Sequence, residues 1–424
     1  MKPGWTRVAP LALLLLGCAE RREGGIERIE FWGLGREGEV VADFIPEFER
    51  QNPGIRVTVQ QIPWIAAHEK LLTAYVGDAM PDLAQMGNTW IPEFAAVGGL
   101  ADLTPFARMS RTIDGHDDFP GIWATNVVDG VLYGIPWYVD TRVLFYRSDI
   151  LTAVGYPHGP RTWSEWIDAM ERIQRGKKSR YGILMPTNEF EPIEVLALSN
   201  GSRFLNAQGT RGAFQEPAFR EAFDFYVDMF HRGFAPVTSN AQVANLYQQF
   251  AQGEFAMHIT GPWNVGEFKR RLPPEMEGKW ATAPVPARNA SEPTGVSMAG
   301  GASFVVFRAS QHKEAARKLI EFLSAPAQQV RFFELIGDLP ARRSAWTAPA
   351  LARDPYFPAF RKQLERVVPF PQVPEWEQIA TSIFEHGEIA VRRASTPAAA
   401  LADLDRTADE ILTKRRWILE HHED

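Results

Sequence analysis

Thirteen tryptophans in 424 residues are more than a core of that size requires, and Trp is the residue least comfortable when wholly buried. A planar indole can stack on an apolar face, while carboxylates, amides and guanidinium groups supply directional hydrogen bonds. That equipment suits noncovalent capture of a ligand that carries both hydroxyls and C–H faces. In a parallel sheet the usual place for a ligand is beyond the carboxyl ends of the strands. The stretch Phe31-Trp32-Gly33-Leu34-Gly35-Arg36-Glu37-Gly38-Glu39 follows the first expected strand. Glu37 and Glu39 are therefore candidates for ligand contact, with helix-dipole complementation as their alternative role. Met86-Gly87-Asn88-Thr89-Trp90 follows the third expected strand and offers Asn88 and Trp90, without a carboxylate. Gly300-Gly301 would let backbone N–H groups approach a ligand closely.

Covalent and metal chemistry find little footing. Gly33 and Gly35 lack the spacing of a dinucleotide loop, and no Gly-x-Ser-x-Gly or His-Glu-x-x-His is present. Cys18 is the only cysteine, and His421-His422 has no second group of ligands nearby. No metal and no cofactor are expected. The net charge of -7, with Lys and Arg scattered, gives no footprint for nucleic acid.

The elements that must position these groups read as α/β. Ile29 and Phe31 alternate, Val40, Val41, Phe44, Ile45 and Phe48 recur at helical spacing, and Ile55, Val57 and Val59 alternate again. Asn52-Pro53-Gly54 stops the helix, so the unit is βαβ with a parallel sheet. A helix near Ala66 to Val76, a strand Leu83 to Met86 and a helix from about Trp90 to Val97 continue the cycle. An extended aromatic stretch runs from Tyr133 to Asp149, and a new helical series begins at Thr162, where Thr162 and Glu165 form a capping box. Pro217 opens an amphipathic helix with Gly233 at its C-terminal cap. Phe255, Met257 and Ile259 alternate before Gly261-Pro262-Trp263, and Ser303 to Phe307 is strand-like.

The N-terminus is an export signal: Lys2 and Arg7 are basic, Val8 to Leu16 is apolar but too short to span a bilayer, and Leu15-Leu16-Gly17-Cys18 ends it. This resembles a bacterial lipobox, which implies a lipid on Cys18 and a tether over residues 19 to 25. A plain secretory signal with an incidental Cys is the alternative.

Further pieces recur in order: Phe44-Ile45-Pro46-Glu47-Phe48-Glu49, Pro81-Asp82-Leu83, Gly98-Gly99-Leu100-Ala101-Asp102-Leu103, Tyr133-Gly134-Ile135-Pro136, Leu144-Phe145-Tyr146-Arg147, Thr162-Trp163, Asn200-Gly201 and Gly253-Glu254-Phe255-Ala256-Met257. From about Ile26 to the C-terminal region the chain resembles the extracellular solute-binding proteins of carbohydrate ABC importers, the group of maltose- and trehalose/maltose-binding proteins. The resemblance implies a periplasmic-binding-protein-like fold of two α/β lobes, joined by a three-crossover hinge with the ligand cleft between them. It implies a first lobe over 26–139 and 284–307, and a second over 144–280 and 312–424. It also implies closure on an oligosaccharide, delivery to ABC permease subunits, a periplasmic, lipid-anchored location and a monomer.

The same resemblance places an aromatic platform at Trp263, a hydroxyl-binding carboxylate at Asp140 with Tyr138 and Arg142 flanking it, and a second-lobe acid at Glu191. Phe370 and Trp376 match a C-terminal segment that adds aromatic surface, and Arg342 and Arg343 lie in a stretch that often borders the cleft. A structural role is the alternative for each. Two readings stay open beside transport: a secreted glycoside hydrolase, since two acids across a cleft are all that chemistry demands, and a carbohydrate-binding lipoprotein without transport.

Overall fold

The computed structural model describes residues 25–243 and 245–421. The expected signal segment with Cys18, the tether up to residue 24, and His422 lie outside them.

The βαβ expectation holds. Strands Glu27–Leu34, Ile55–Ile62 and Leu83–Gly87 run parallel, and the alternation in the first buries Ile29 and Phe31 while exposing Glu30. Gly300–Val306 then inserts antiparallel between Leu83–Gly87 and Gly134–Asp140, and the short Leu339–Pro340 closes that edge. The core beneath is aromatic: Phe31, Trp137 and Phe304 pack together, with Trp137 stacked on Phe304 at 4.6 Å. Burying each such side chain contributes roughly 1.5–3 kcal/mol, so the sheet's strand ends are fixed supports for the loops above them.

The second lobe is built on a four-stranded sheet in the order Trp280–Ala283, Val143–Arg147, Phe255–Thr260, Tyr181–Leu184. Phe255–Thr260, expected to alternate, is buried along its whole length because it is an inner strand covered on both faces. Helices Trp163–Arg175 and Pro217–His231 begin where the sequence signals place them. Thr162 Oγ1 accepts from the Glu165 N–H at 3.2 Å, while the Glu165 carboxylate reaches back to the Arg161 N–H at 2.7 Å, one residue earlier than a capping box requires.

The chain crosses between the sheets at residues 140–143, at 298–300, and again after Pro340. The expected lobe boundaries need correction at the last two. Val285 and Met298 pack in the second lobe's core, and Ser297–Met298 pairs with Val367–Val368, so the return to the first lobe starts at Gly300 and not at 284. Helices Lys313–Leu323 and Pro326–Ile336 carry Ala315, Ala316, Leu319, Ile320, Leu323 and Phe332 into the first lobe's core beside Ile29, Phe44 and Phe304. An apolar stripe states that a helix covers something, but it does not state which sheet.

Glu194, inside helix Glu191–Ser199, is wholly buried, and neither carboxyl oxygen has a hydrogen-bond partner among the described residues. Burial, reinforced by Glu191 and Glu377 and opposed by Arg142, pushes this carboxyl well above its ordinary 4.5. The folded protein therefore keeps a proton that the unfolded chain gives up. The associated stability is whole below pH 4.5 and is lost as pH rises above it. Glu194→Gln should gain in Tm over the parent, and the gain should grow between about pH 5 and about pH 8. A constant difference across that range would show the carboxyl to be paired or ionised in solution.

Candidate ligand-binding cleft

A cavity of about 500 Å³ lies between the lobes, at the first two crossings. Both lobes build it, which distinguishes it from a hollow of about 1000 Å³ walled mainly by first-lobe residues such as Arg108, Asp118 and Trp123.

Its floor comes from the end of strand Gly134–Asp140, which carries Tyr138 and Asp140. The Tyr138 hydroxyl donates to Glu37 at 3.0 Å and accepts from Gln85 Nε2 at 3.2 Å, and Gln85 Oε1 accepts from the Leu34 N–H at 2.7 Å. Trp64 Nε1 donates to both oxygens of Glu37 at 3.2 Å. Glu37, in the first turn of helix Gly35–Val41 directly after the first strand, is thus held by two neutral donors. Asp140 faces Arg142, whose Nη1 donates to Asp140 at 2.6 Å and whose Nη2 donates to Glu191 at 2.6 Å. The same guanidinium lies 4.7 Å from the ring centre of Trp263. One cation at the crossing therefore joins a first-lobe carboxylate, a second-lobe carboxylate and a second-lobe aromatic. Burial opposes the charge on Arg142, but Asp140 and Glu191 outweigh it and raise its pKa. Burial also pushes the Asp140 carboxyl up, against the pull of Arg142.

Three polar atoms at the cavity are out of solvent and without a partner among the described residues: Asp140 Oδ1, Asp338 Oδ2 and Asn88 Nδ2. Aromatic rings face them. Trp64 and Trp90 meet edge to face at 5.6 Å, and Trp263 remains 42% exposed. Its ring folds back over Gly261, where a Cβ would lie 1.8 Å from Cζ3, so only glycine permits this pose. Phe370 lines the cavity, and Phe190 is among the second-lobe walls.

Of the residues singled out from the sequence, Glu37, Asn88, Trp90, Tyr138, Asp140, Arg142, Glu191, Trp263, Gly300, Gly301 and Phe370 come together here. Glu39 does not, because it is exposed on the far side of its helix turn. Trp376 is 1% exposed and stacks behind Phe370 at 5.1 Å, where it supports that ring within the second-lobe core. Arg342 is buried against Asp117 at 2.8 Å and Arg343 pairs with Glu365, both away from the cavity. Gly301 has φ +123, and a Cβ there would lie 2.2 Å from the Tyr138 carbonyl oxygen. The neighbouring strand alone thus demands glycine at that position. Trp64, Phe190, Asp338 and Glu377 also line the cavity. Trp64 follows strand Ile55–Ile62, so the strand-end argument that selected Glu37 and Asn88 applies to it as well. Asp338 comes in just before the third crossing, and no local signal marks it.

Residues 33–330 match the family of bacterial extracellular solute-binding proteins. The fold is similar to that of the sugar-binding protein MalE from Xanthomonas citri, with a TM-score of 0.90 and 50% identity over 93% of this chain and 99% of that one. An uncharacterised lipoprotein of Streptomyces antibioticus is 29% identical over 81% of this chain and 77% of its own. An arabinooligosaccharide-binding protein of Halalkalibacterium halodurans is 24% identical over 80% of this chain and 76% of its own.

Proposed function

The chain belongs to the bacterial extracellular solute-binding protein family, and from that premise we propose that it is the capturing subunit of a sugar ABC importer, taking an oligosaccharide of the maltose, trehalose or maltodextrin type. The observation that carries this reading is the cavity itself: carboxylates and aromatic rings from both lobes line one space beside the crossings. A ligand that touches both lobes favours the closed form by its differential affinity for it, and closure about the crossings is a hinge motion. The closed form is the one offered to the permease. A cavity of about 500 Å³ falls within the range of small-ligand sites. Relatives are named for sugar and arabinooligosaccharide binding, and none of the three is named as an enzyme, which supports binding without turnover. Leu15-Leu16-Gly17-Cys18 and a relative named as a lipoprotein support a lipid on Cys18, with the folded part tethered outside the cytoplasm.

Calorimetric titration of the mature protein without residues 1–18 tests this against maltose, maltotriose, trehalose, sucrose and a xylo-oligosaccharide. The expected result is a saturable one-to-one signal with at least one sugar, recovered chemically unchanged. Release of monosaccharide would move the assignment to a glycoside hydrolase, and no heat with any of them would remove this ligand class.

A further inference from the structure

Resting on the reading of the cleft as a sugar site, we infer that it selects its ligand by charge, accepting neutral and amine-bearing oligosaccharides and rejecting those that carry a carboxylate or phosphate. Five carboxyl side chains line the cavity, Glu37, Asp140, Glu191, Asp338 and Glu377, and Arg142 is the one cation among the described residues that do so. That cation is already committed, with one nitrogen on Asp140 and another on Glu191. Among the described residues the side-chain donors to Glu37 are the neutral Tyr138 and Trp64, and no cation pairs with it.

The unpartnered atoms tell the same story. Asp140 Oδ1 and Asp338 Oδ2 are carboxyl oxygens without partners among the described residues, whereas Asn88, 3% exposed, offers two free N–H donors through Nδ2. A hydroxyl or an ammonium supplies what these acceptors lack. An anion would find no uncommitted cation among the described residues lining the cavity and would lie against like charges in a space partly closed from water, where such repulsion is strengthened. The potential is legible in one of the site's own groups. After burial itself, Glu37 and Asp140 are what push the Asp338 carboxyl well above its usual range, against a smaller pull from Arg36. The chain's net charge of -7 adds repulsion at longer range.

The test compares derivatives of trehalose and of maltose that share a shape and differ in charge: the C6 carboxylate against the C6 carboxamide, with the C6 amine as the opposite sign. For whichever parent sugar binds, the carboxylate should bind about 100-fold more weakly than the carboxamide or worse, since like-charge juxtaposition costs several kcal/mol and every 1.4 kcal/mol is tenfold. The amine should bind within about tenfold of the carboxamide or more tightly. Raising ionic strength should narrow the gap, and Glu37→Gln, which removes a carboxylate held only by neutral donors, should raise the ratio of carboxylate to carboxamide affinity. Equal affinity for carboxylate and carboxamide, whether both bind or neither does, overturns the charge inference and leaves the sugar reading standing. Absence of heat with every neutral sugar of the panel defeats the sugar reading itself, and this inference with it.

Discussion

Trp263→Ala should weaken binding of the cognate sugar by roughly 30- to 700-fold, which corresponds to about 2–4 kcal/mol for truncating an aromatic anchor. The ring is 42% exposed, so little burial is lost when it is removed and the urea midpoint should shift only slightly. Its loss takes away an apolar face for the sugar and also the ring over which Arg142 is poised at 4.7 Å. Trp263→Phe, which keeps a smaller platform, should retain much of the affinity. Titration of both variants beside their unfolding curves separates the outcomes. Affinity unchanged in the alanine variant would take Trp263 out of the site, and a midpoint that collapses with it would assign the ring to the fold.

Arg142→Met should cost about 3–5 kcal/mol of stability, the range for leaving buried charge without its partner. Arg142 is 8% exposed and holds Asp140 and Glu191 at 2.6 Å each. Without it two carboxylates face each other with no cation between them, and their pKa values must rise. The penalty should therefore be smallest at acid pH, where both carry protons in the folded and unfolded chain, and should grow as pH rises. Urea unfolding at about pH 5 and about pH 8 reads this directly. Adding Asp140→Asn and Glu191→Gln to Arg142→Met should return most of the loss, since no charge is then left unpaired. A single variant as stable as the parent at both pH values would mean that water already reaches the triad.

Much of this molecule was legible in its residues. The two alternating runs around Ile29 and Val57, with a helical run between them stopped by Asn52-Pro53-Gly54, led to the βαβ unit that is present. Strand-end loops named Glu37, Asn88 and Trp90, because a parallel sheet presents its loops to one edge wherever it occurs. The same argument stopped short of Trp64 and claimed Glu39 beside Glu37. Two residues along a helix turn swing a side chain by about 200°, enough to carry Glu39 from the cleft to solvent. Trp376 was misplaced for a related reason: a C-terminal aromatic segment identifies rings near the cleft, but only packing decides that Phe370 faces the cavity and Trp376 backs it.

What the sequence determined by itself is the α/β class, the family, and most of the side chains that meet between the lobes, all of which depend on local periodicity and on short motifs. The tertiary structure decided which sheet the helices at 313–336 cover, where the chain recrosses at Gly300, and that Asp338 and Glu377 join the same cavity. Those facts depend on pairing between residues more than a hundred positions apart. An apolar stripe or an isolated carboxyl looks the same whichever partner it finds, because burial is nondirectional and only the closed packing of both lobes selects the partner.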